Sequence, residues 1–167
     1  TDNGNILVEG SLFGYDGGYV QASALLPGSG YWVNTTGAGS ITMDCNSAGK
    51  ASAQGTTVNT GQFGEIDVRD ANDKARTLLF GAELERAADK QRFMLPPRAL
   101  AGFDARFNND GWLSEGNESI ISLQTEAFPV TIDLVRAATF GTSSVIIEEL
   151  VNGQIVATHT LAEGSSL

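Results

Sequence analysis

The sequence predicts an all-β fold, an antiparallel β-sandwich with at most one short helix. Three observations carry this. Short β-rich runs alternate apolar and polar residues. Tight-turn pairs separate them at roughly 8–12-residue intervals, the spacing of a sandwich or barrel. Almost no segment has helical periodicity. Twenty glycines against four prolines supply turns without marking the chain as disordered. At 167 residues, 41% of them hydrophobic, the chain can bury a real core as one large domain or two packed subdomains. A composition shift near residues 44–62 is the candidate boundary between such subdomains.

The elements follow in order. Ile6–Glu9 opens as a strand before Gly10. Leu12–Tyr15 and Gly18–Gln21 flank Asp16-Gly17, a pair that tolerates positive φ and favours a tight hairpin. Leu26-Pro27-Gly28-Ser29-Gly30 is a turn directly ahead of Tyr31-Trp32-Val33-Asn34, which pairs with Ser40–Met43 through Thr36–Gly39. Alternation sends Tyr31 and Trp32 to opposite faces, so one of them is expected in the core. Residues 46–61 are small and polar and read as a loop or a thin edge strand.

Gly64–Arg69 alternates and turns back through Asp70–Asp73 into Arg76–Phe80, a well-marked hairpin. Ala82–Gln91 is the one helical candidate, with Leu84, Ala87 and Ala88 on one face, and Pro96-Pro97 follow its end. Phe103–Phe107 alternates, and strands are predicted at Ser119–Gln124 and Val130–Val135. Ser144–Val151 and Gln154–Leu161 surround Asn152-Gly153, the strongest short hairpin signal in the chain.

Charge narrows the partners. Twenty acidic residues against ten Lys and Arg give a net charge of -10. That balance repels phosphate backbones and anionic membrane surfaces, so neither nucleic acid nor a membrane is an expected partner. An acidic surface also keeps a secreted protein soluble. No apolar run approaches the ~18 residues of a membrane span. Cys45 is the single cysteine, so no disulfide forms within the chain; it reads as a small buried hydrophobe, the alternative being a bond between chains. The first residue is Thr1, which suggests a processed or excised piece.

Most catalytic constellations fail. His159 is the lone histidine and has no recognisable triad partners. Gly28-Ser29-Gly30 lacks the spacing of a nucleophile elbow. Gly49-Lys50 is followed by Ala51, which breaks a phosphate-binding loop. One His and one Cys cannot build an imidazole–thiolate zinc site. Glutamates are plentiful, but nothing selects a pair for glycoside hydrolysis. The chain is therefore read as not an enzyme, and no cofactor is expected.

Two binding readings remain. Asp110, Glu115 and Glu118 place hard oxygens close together and are the candidate ligands of a structural calcium ion. An EF-hand is excluded, because aligning Gly111 to its glycine leaves Arg106 and Asn117 at the ends. Ordinary turn chemistry explains the same residues. Trp112, after Gly111 in a polar loop, is with Tyr19 the candidate ligand-binding pair for a glycan. The favoured alternative has Trp32 anchoring the core and Trp112 covering its edge.

One resemblance bears on function. Asp16-Gly17-Gly18-Tyr19-Val20, Leu26–Val33 and Gly39-Ser40-Ile41-Thr42 resemble a module of the C-terminal regions of large secreted or cell-surface bacterial proteins, often exported by the type IX secretion system. Leu78–Gly81, Leu95-Pro96-Pro97, Phe103–Phe107 and Phe128–Ile132 are similar as well, so the likeness covers roughly residues 12–135. It implies an extracellular β-rich module with a structural, adhesive or assembly role, and no catalytic residues. Expected partners are other domains of the same polypeptide or copies of itself. The short stretch ahead of Asp16 departs from the pattern and suggests missing strands, which would leave an edge open to strand addition. The end at Leu167 lacks a sorting tail. The alternatives are a carbohydrate-binding module and an accessory domain of a secreted hydrolase.

Overall fold

A computed structural model of the chain describes residues 6–41, 58–116, 118–139 and 144–167. The fold is all-β, built from antiparallel sheets without a closed barrel. Cys45, the Gly49-Lys50 pair and most of the proposed boundary at 44–62 lie outside the described residues.

The central sheet has four strands. β3 (Gly64–Arg69) and β4 (Ala75–Phe80) form the expected hairpin, with Ile66 opposite Leu78. Asp70 holds its turn by accepting the N–H groups of Asn72 (2.9 Å) and Lys74 (3.0 Å) and the Thr125 hydroxyl (2.9 Å). β8 (Thr131–Arg136) runs antiparallel on the other side of β3. β6 (Leu113–Ser114) adds to β4 in parallel, but only at Leu79 and Phe80.

Alternation then builds two cores on the two faces of this sheet. Ile66, Val68, Leu78 and Leu134 point to one face. There they meet Phe103, Ala105 and Phe107, the last two from β5 (Asp104–Phe107), which pairs with β7 (Ile121–Gln124) as a second sheet. Leu79 points to the opposite face and packs with Phe63, Ala82, Phe93 and Leu113. Trp112 touches both clusters. Each large aliphatic or aromatic side chain so buried contributes about 1.5–3 kcal/mol of transfer free energy.

Two further hairpins match their turn signals. β1 (Phe13–Tyr15) and β2 (Tyr19–Gln21) pair across Asp16-Gly17, with Gly17 at φ 67°. β9 (Ser144–Val151) and β10 (Gln154–Ala162) pair across Asn152 (φ 53°) and Gly153 (φ 75°). Residues after β10 turn at Gly164 and run along β8, where Leu167 and Ile132 exchange both backbone hydrogen bonds. The C-terminal tail thus covers the outer edge of the central sheet.

Several expectations are corrected. Trp32 is not a core residue: its backbone bridges Phe13, but its side chain is half exposed, because no element among the described residues packs over it. Tyr31 is partly buried against Gly14, and its hydroxyl accepts the Leu26 N–H at 2.8 Å. The turn ahead of it forms as read, with Gly28 at φ 82° and Ser29 N–H donating to Leu26 C=O. Ile6–Glu9 makes a single bridge, Leu7 to Thr35, instead of a strand. The helical candidate is a 3-10 segment shifted to Ala87–Phe93. Arg86 before it is extended, and buried Phe93 anchors its end. Phe103–Phe107 alternates in sequence, yet Asp104 and Arg106 are as buried as their apolar neighbours. They neutralise one another, which is what permits burial.

Candidate functional site

A pocket of about 220 Å³ lies between β2 and the part of β4 that β6 leaves uncovered. Its lining includes Phe13, Tyr19, Gln21, Arg76, Thr77 and Trp112. Leu79 donates its N–H to the Trp112 carbonyl at 2.9 Å. By the two-residue period of the ladder, the backbone groups of Ala75 and Thr77 turn the same way, toward the pocket.

Two tyrosine hydroxyls hold the wall on the β2 side. Tyr19 donates to Pro97 C=O at 2.9 Å, and Tyr15 to Ala101 C=O at 2.7 Å. Their rings meet edge to face at 5.5 Å. The opposite wall is Trp112, half-buried and tilted against Phe93 at 4.8 Å. Tyr19 and Trp112, the two candidate ligand-binding residues, therefore line one pocket. Trp112 covers the junction of the two cores and does not project as a free platform.

Arg76 supplies the charge. Its Nη2 donates to the Tyr19 carbonyl, and its buried Nε has no acceptor among the described residues. Burial lowers its pKa, an effect Asp104 opposes and Arg106 reinforces. Asp104 is already committed: Arg106 Nε donates to one of its oxygens at 2.7 Å and Nη2 to the other. Arg106 also donates to Pro96 C=O at 2.9 Å. Burial disfavours the Arg106 cation, but the hydrogen bonds and charge of Asp104, with Asp110 behind them, carry its pKa above the ordinary value.

The candidate calcium ligands sit apart from this pocket's lining. Asp110, in the left-handed region at φ 59°, is exposed and lies 3.6 Å from Arg106 Nη1. Glu115 accepts the Leu84 N–H at 2.9 Å and pairs with Lys90. The Lys90 hydrogen bond, then the Leu84 N–H, hold its carboxyl below the usual range. Glu118 is exposed. Asn109 closes the turn locally, accepting Gly111 N–H at 3.0 Å and donating to Leu113 C=O at 2.9 Å. Among the described residues no three His, Cys, Asp or Glu side chains form a group that could hold a metal ion. His159 faces Glu149 across β9 and β10 at 3.0 Å.

Sequence reasoning passed over Arg76. The signal was present: in Arg76-Thr77-Leu78, the period of two puts a guanidinium on the same face as the fully buried Leu78. No helix among the described residues is long and apolar enough to cross a membrane. No protein-family model, curated protein or solved structure matches the chain.

Proposed function

We propose that the chain is a non-enzymatic structural module of a secreted bacterial surface protein, and that it assembles with copies of itself by strand addition at β9. The resemblance in the sequence supports the extracellular setting. The β9–β10 hairpin supports the assembly.

One observation carries the reading. β9 pairs with β10 and with no other strand among the described residues. Val145 and Ile147 lean on the core below, which turns Ile146 and Leu150 to the opposite face. Ile146 is 67% exposed, and Leu150 and Ile155, paired in register, are each more than half exposed. This eight-residue edge strand has neither Pro nor Lys, and Glu148 and Glu149 are its only charges. A two-stranded hairpin is marginal alone and gains stability from a third strand. A neighbouring copy would supply that strand and set its side chains beside Ile146 and Leu150, on either side of Glu148.

Sedimentation velocity across a wide concentration range tests this. The unsubstituted chain should show concentration-dependent association, and the double variant Ile146→Lys, Leu150→Lys should sediment as a monomer. Both side chains are exposed, so the substitutions leave the core intact. A monomeric unsubstituted chain at all concentrations would remove the assembly reading.

A further inference from the structure

The pocket at β4 holds a cation that forms no direct ion pair among the described residues. Arg69, Lys74, Lys90, Arg92, Arg106 and Arg136 each pair with a carboxylate. Arg86 and Arg98 are exposed to solvent. Arg76 is partly buried and has no ion pair within 4.0 Å among the described residues. The carboxylate that acts on it, Asp104, is already held by Arg106. Within a chain whose net charge of -10 repels polyanions in general, a partly desolvated guanidinium without an ion-paired carboxylate among the described residues is a local site for a single carboxylate.

The rest of the lining specifies what carries the anion. Tyr19 and Trp112, both partly buried, line the pocket, and their aromatic rings suit the apolar face of a small ring. The outward backbone groups of Ala75 and Thr77 offer donors and acceptors, which suit hydroxyls and have no use for a bare hydrocarbon ring. A volume of about 220 Å³ limits the guest to one small ring. We infer that the Arg76 pocket binds the uronic-acid residue of an acidic glycan, its carboxylate facing the Arg76 guanidinium and its ring against Tyr19 and Trp112.

No lining residue of the pocket belongs to β9 or β10, so this inference and the assembly reading can fail separately. The test is calorimetric titration of the whole chain with glucuronate, glucose and benzoate. Glucuronate should bind saturably with a dissociation constant of roughly 1 mM, and glucose and benzoate about tenfold more weakly. Arg76→Gln, which keeps a donor for the Tyr19 carbonyl, should weaken glucuronate by about tenfold. In the unsubstituted protein, glucuronate should shift the Trp112 indole N–H resonance, a readout that does not depend on the variant folding. Equal affinity for glucose would overturn the carboxylate, and equal affinity for benzoate would overturn the sugar. A folded Arg76→Gln that binds unchanged, an unmoved Trp112 resonance, or no saturable binding up to roughly 50 mM would overturn the site.

Discussion

Arg76 Nη2 donates to the Tyr19 carbonyl oxygen, joining β4 to β2 across a gap that no ladder fills. Thus β2 faces the central sheet through a side chain, and the space left between the two strand edges is the pocket. The same guanidinium closes the fold at that point and gives the pocket its charge.

Two substitutions near this contact should differ in sign and size. Arg76→Met loses a charge-assisted hydrogen bond worth about 1.5–3 kcal/mol but also removes a desolvated cation, so its net effect should be within about 1 kcal/mol of zero. Asp104→Asn leaves the fully buried Arg106 with only the exposed Asp110 as counter-charge and should cost about 3 kcal/mol. Urea unfolding of both variants reads the contrast. Comparable losses would mean that Arg76, too, depends on a carboxylate.

Glu115 should contribute to acid sensitivity. Its folded pKa lies below the ordinary 4.5 because of Lys90 first and the Leu84 N–H second. A depressed carboxylate adds stability above its unfolded pKa, and that stability is lost as pH falls through the folded value. The stability difference between the unsubstituted chain and Glu115→Gln should therefore be present at pH 7, shrink below pH 4.5 and vanish at lower pH. Unfolding curves taken between those limits check it; a difference that grows on acidification would contradict it.

The Asn152-Gly153 turn should control the β9–β10 hairpin locally. Gly153 sits at φ 75°, a conformation a Cβ disfavours by about 1 kcal/mol. Gly153→Ala should accelerate amide exchange in β9 and β10 by about fivefold and leave β3 and β4 unchanged. Uniform acceleration would show that the hairpin opens only with the whole domain.

Local chemistry made much of this fold legible. Asp16-Gly17, the Asp70 turn and Asn152-Gly153 each fix a hairpin within a few residues, and alternation in Gly64–Arg69 assigned its buried face correctly. What stayed hidden depends on distant partners. Trp32 is exposed because nothing from elsewhere in the described chain lies over it. Asp104 and Arg106 are buried because they satisfy one another, although their alternation reads as a solvated face. The C-terminal tail covers β8 through backbone pairing at Leu167 and Ile132, which leaves no mark on residue type. Tyr19 and Trp112 were legible as aromatic candidates. Their meeting in one pocket, with Arg76 between strands, follows from the packing of β2, β4 and β6.

The central claim is that copies of this chain join edge to edge at β9. Hydrogen exchange of the β9 amides that face away from β10, measured at high protein concentration and after dilution, tests it most directly. Strand addition should slow their exchange at high concentration and release it on dilution, with β3 and β4 unchanged. Exchange at β9 that is fast and independent of concentration would contradict the account.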